Sequence, residues 1–134
     1  MKGGSLIMKN ALKDLVFLGH AEKVISLFGH EWKMKTIDAS AQIAATASTG
    51  DYDTLARVNA LKVAILARAL ISVDNEPVGN VGETAELLNK MQPMIINRLY
   101  DEYDNMISEQ ENALADLDEL KNSSKTTSRE SNTK

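Results

Sequence analysis

His20 and His30 are the side chains best placed by type for metal binding or proton transfer near neutral pH. Neither has a carboxylate or a second histidine at the helical spacing that would complete a ligand set, and each follows a glycine in a turn-like segment. His30-Glu31-Trp32 begins like a zinc-protease helix, but Met34 stands where the second histidine is required. Gly79-Asn80-Val81-Gly82 is rich in glycine yet lacks the Lys and Ser or Thr that grip phosphate and magnesium, so it reads as a linker. Between Asp101 and Glu119 stand eight carboxylates and no basic residue. Calcium loops gather their oxygens around a glycine turn, whereas these carboxylates are spread along one helix, as a solvated or partner-facing surface would be. Cysteine is absent, which removes thiol nucleophiles, thiolate zinc sites and disulfides together. The expectation is a protein without cofactor or metal, and not an enzyme.

Composition narrows the remaining classes. A chain of 134 residues can bury one core, and its 43% hydrophobic and 25% charged content is ordinary for a globular domain. The longest apolar run, residues 63–73, is too short to span a bilayer and contains Arg68, while Leu6, Ile7 and Met8 are too few for a signal core. A soluble protein of a reducing cytoplasm is therefore expected, with no membrane partner. A net charge of -4 and a low aromatic content give no electrostatic or stacking reason to bind nucleic acid.

The elements that must position any functional surface follow from periodicity. Residues 1–9 read as a flexible arm and 10–18 as a short amphipathic helix, with one domain over residues 10–120. From 23 to 37 the apolar residues alternate with polar ones on either side of Gly29, the pattern of a β-hairpin. Asp38 and Asp53 can cap helices over residues 38–50 and 53–73, the second apolar around most of its circumference from Leu61 onward. Asp74-Asn75-Glu76-Pro77 predicts a sharp turn, residues 83–91 a short helix, and Pro93 the first turn of a long helix to about Leu120. Residues 121–134 lack large apolar side chains and are expected to be disordered. The fold class is mainly α with one small β-hairpin, an α+β domain ending in a long acidic helix.

Along that last helix Ile96, Leu99, Tyr103, Met106, Gln110, Ala113, Leu117 and Leu120 recur in steps of three and four, the seam by which helices pack together. The first half can be core, but the second has little domain left to cover it. Leu99, Tyr103, Met106, Ile107, Leu114 and Leu117 are thus candidates for contact with a partner. Trp32, the sole tryptophan, reads first as core and second as an interface anchor.

Three stretches carry a family likeness: the hairpin through Trp32-Lys33-Met34-Lys35-Thr36-Ile37, the run Leu66-Ala67-Arg68-Ala69-Leu70 closed by Val73-Asp74-Asn75-Glu76-Pro77, and Arg98-Leu99-Tyr100 before an acidic helix. In this succession, over residues 14–110, the chain resembles the small tail assembly chaperones of long-tailed bacteriophages. The likeness implies a protein of the host cell cytoplasm that binds the aggregation-prone tape measure protein until the tail tube assembles, then leaves, without nucleotide; several copies along one long client would add avidity, so self-association is expected. It does not carry over individual contact residues. A structural virion protein of the tail, neck or baseplate hub would use the same helices; a small DNA-binding regulator is the other alternative, but its recognition helix would have only Arg57, Lys62 and Arg68 and little free surface for a groove.

Overall fold

The computed structural model describes residues 21–125, with side-chain surroundings up to residue 119. The arm, the helix over residues 10–18, His20, Leu120 as a seam contact and the chain beyond residue 125 lie outside that description. Strands β1 (Glu22–Leu27) and β2 (His30–Lys35) are followed by helices α1 (Ala39–Ala47) and α2 (Thr54–Ala69). After them come strands β3 (Leu70–Val73) and β4 (Glu76–Pro77) and helices α3 (Val81–Asn89) and α4 (Pro93–Lys125). The α+β class is as the sequence implies, but the sheet is larger: four antiparallel strands in the order β1-β2-β3-β4.

Each hairpin closes through a two-residue turn with positive φ at both positions. Phe28 and Gly29 have φ of 55° and 78°, and Asp74 and Asn75 have φ of 51° and 67°. Such turns match the right-handed twist of paired strands. Gly29 adopts this backbone without strain, and Asp and Asn tolerate it better than most residues, so Phe28 is the side chain that the fold forces into it. The second hairpin corrects the expectation that residues 70–73 continue the central helix. The amide of Leu70 still bonds back to Leu66 as the helix cap, but its ψ of 132° is extended, and Leu70 and Ser72 pair with Met34 and Lys33 of β2.

Alternation along β2 buries Trp32 and Met34 and leaves Glu31 and Lys35 exposed, so one face of the sheet is apolar and must be covered. Ile25 lies opposite Trp32 on β1, and Leu70 lies opposite Met34 on β3. The cover is helical. The second half of α2 is buried along Val63, Ala64, Ile65, Leu66, Ala67 and Ala69, and this helix packs against α1, α3 and α4. Arg68 keeps its charge at the edge by donating to the carbonyl of Ala64 at 2.8 Å.

Helix starts follow from local chemistry. Asp38, Asp53 and Asn80 each accept, through the side chain, the amide three residues on, at Ala41, Ala56 and Glu83. The last of these overturns the linker reading of residues 79–82: Asn80 caps α3, and Val81 and Gly82 are its first turn. Pro93 opens α4 without costing a hydrogen bond, since the first amides of a helix have no internal acceptor. At its far end α4 continues through Lys125, so residues 121–125 are helical rather than part of a disordered tail.

Candidate functional site

Helix α4 runs about 50 Å at 1.5 Å per residue, longer than the body of the domain needs. Its first half is core. Ile96, Leu99, Tyr103 and Met106 are buried against the sheet and α2, and the Tyr103 hydroxyl accepts the Ile37 amide at 3.3 Å where β2 leads into α1. Burial raises the Tyr103 phenol above its ordinary value, the bond from Ile37 opposing that in part. Near the middle, the Lys23 ammonium of β1 meets the Glu109 carboxylate at 3.2 Å. From residue 111 to 119 every side chain is exposed, including Leu114 at 36% and Leu117 at 51%.

The seven residues singled out by sequence therefore divide. Trp32, 6% exposed, donates its indole N–H to the Leu27 carbonyl at 3.0 Å and is part of the core rather than an interface anchor. Leu99, Tyr103 and Met106 are likewise taken up within the chain, because α2 and the sheet extend far enough to cover them. Ile107 is half-buried at the boundary, and Leu114 and Leu117 are left outside. Gln110 is half-buried, so the uncovered apolar part of α4 is Leu114 with the seam position Leu117, within the exposed residues 111–119.

A second apolar surface was not read from the sequence. An open groove between the sheet and α3 has Trp32, Leu70 and Leu88 at its base, and Leu87, Met91 and Ile95 along one wall. Its signal was the pair Leu87-Leu88: adjacent positions lie about 100° apart, so a short helix covered on one side turns one of them outward, and Leu88 is buried while Leu87 is 61% exposed. No family model, curated protein or solved structure matches the chain. The function must be argued from these surfaces.

The candidate chemistry of His30 resolves into a structural contact. Its Nδ1 lies 2.5 Å from Asp74 Oδ2, and the other Asp74 oxygen accepts the Glu31 amide at 2.8 Å, so the two hairpin turns are tied together. Ser26 lines the same shallow cleft, but among the described residues no hydrogen bond joins its hydroxyl to the imidazole. The Glu31 amide first, and His30 second, hold the Asp74 carboxyl below the usual carboxylate value of 3.8. A depressed value means that the unfolded chain takes up the proton first. The contribution of this contact is present above the ordinary carboxylate range and is lost as pH falls through the folded value. We expect Asp74→Asn to lower the melting temperature near neutrality and to converge with the parent chain as pH falls below about 4, so that the acid limb of a plot of melting temperature against pH is flattened. An unaltered acid limb would show that the carboxylate does not couple to folding.

Among the described residues no group of three His, Asp or Glu side chains is arranged to hold a metal ion, and no helix is long and apolar enough to cross a membrane. The three basic side chains of α2 are all engaged. Arg57 donates to the carbonyls of Thr49, Gly50 and Tyr52, Lys62 donates to Asn97 and lies 5.6 Å from the Tyr100 ring centroid, and Arg68 donates to Ala64.

Proposed function

We propose that the chain is a tail assembly chaperone of a long-tailed bacteriophage, which holds the tape measure protein soluble in the host cytoplasm until the tail tube forms around it. The observation that carries this reading is the bare second half of α4, where Leu114 and Leu117 stand exposed among carboxylates. Exposed apolar side chains on a charged helix supply weak, reversible contacts while the charge keeps the holder in solution. Several copies along one extended client would add avidity to such contacts, which is the role of self-association in this proposal. The resemblance of the hairpin, central helix and acidic helix to that family supports the same conclusion.

A DNA-binding regulator is disfavoured because α2 carries only Arg57, Lys62 and Arg68, its second half is buried, and the chain's net charge of -4 gives no attraction to a phosphate backbone. A permanent virion component would use the same helix for fixed contacts, and its fate separates the two. The chaperone should co-purify with the tape measure protein from infected cells and be missing from finished particles. Its presence in purified virions in stoichiometric amount, measured by mass spectrometry, would refute the proposal.

A further inference from the structure

The projecting part of α4 carries charge on a definite side of its apolar stripe. With Leu114 and Leu117, the two leucines left exposed, taken as a and d of a heptad in a register shifted from that of the buried half, Glu111 and Asp118 fall at e, beside the stripe. No Lys or Arg occurs between Asp101 and Glu119. Among the described residues, Glu109 is the carboxylate of that stretch that forms an ion pair, with Lys23 of the domain body. Glu111 and Asp118 are exposed and form no ion pair among the described residues.

We propose that this face receives a basic amphipathic helix of another polypeptide, one with apolar residues at seam spacing and Lys or Arg opposite Glu111 and Asp118. The proposal rests on the reading that the chain holds other proteins, and it specifies the chemistry of what is held. A second copy of the chain fits less well, because its own helix carries eight carboxylates against the two cations Lys121 and Lys125 over residues 101–125. An anionic lipid surface is repelled by the same charge. A basic helix both fills the gap beside Leu114 and Leu117 and neutralises the carboxylates flanking them.

The test uses the full chain and two synthetic helical peptides of equal length, both with Leu at a and d, one with Lys and the other with Glu at e and g. The Lys peptide should bind at least about tenfold more tightly, a difference that two charge contacts can supply, and the preference should shrink as salt is raised. E111K/D118K should invert the preference. L114A/L117A, which leaves the charge untouched, should weaken binding of the Lys peptide, whereas undiminished binding would reduce the effect to nonspecific charge attraction and overturn the proposal. Equal affinity for the two peptides, binding of neither, or a chain dimer in sedimentation that L114A/L117A dissolves would also overturn it. The chaperone reading fails separately: a tape measure protein that stays insoluble beside a chain with clear peptide preference removes that reading and leaves this inference standing. Conversely, a client held without any peptide preference removes this inference alone.

Discussion

Leu99→Ala should lower the stability of the domain by about 3 kcal/mol, within the range seen when a fully buried leucine is cut back to its β-carbon. Leu99 has no exposed surface and lies on α4 between Ile96 and Tyr103, in the cluster that joins this helix to the sheet and to α2. The cost combines the lost transfer energy of the side chain with a cavity that a helix held at Ile96, Tyr103 and Met106 cannot close. Urea unfolding followed by circular dichroism measures the change. A loss under about 1 kcal/mol would mean that the first half of α4 is not locked into the core as the burial of Leu99 requires.

Ending the chain after Gln110 should have the opposite profile. The cooperative melt should persist, because every described side chain removed is exposed, while affinity for a protein client should fall about a hundredfold. That factor corresponds to losing the burial of two leucine side chains, Leu114 and Leu117, at roughly 1.5 kcal/mol each. Calorimetry of the shortened chain and a client titration read the two halves of the expectation independently. Disappearance of the melting transition would show that the projecting segment belongs to the folding unit; unchanged affinity would place client contact elsewhere, with the α3 groove the next surface to test.

The first hairpin was legible because a half-buried strand alternates: Trp32 and Met34 face in while Lys33 and Lys35 punctuate them. Asp38, Asp53 and Pro93 were legible because capping and the missing proline amide act within one turn of the residue. The second hairpin was not. Residues 61–73 form a nearly unbroken apolar run, and periodicity cannot divide such a run into helix and strand. What divides it is the edge of β2, which takes Leu70 and Ser72 into its ladder from far away in sequence. Asp74 and Asn75 announced a turn, but whether a turn closes a hairpin depends on the strand that follows, here the two residues Glu76 and Pro77.

The candidate surface shows the same limit of local information. Leu99, Tyr103 and Leu117 share one seam pattern with Leu114 beside it, and the pattern states only that a neighbour is needed. The domain itself covers Leu99 and Tyr103 and stops before the two later leucines. For α3, a short helix with adjacent leucines implied an exposed one, yet only the position of the sheet made its exposed side the wall of a groove.

The indole of Trp32 turns the molecule into its own spectroscopic reporter. As the sole tryptophan, with its ring at the base of the groove and its N–H bound to the Leu27 carbonyl, it dominates the fluorescence excited at long ultraviolet wavelengths and emits from the sheet end of the domain. A molecule that enters the groove alters the polarity around that ring and shifts its emission. A helix laid along Leu114 and Leu117 leaves the colour unchanged, so a client free of tryptophan reveals which of the two surfaces it has chosen without any label being attached.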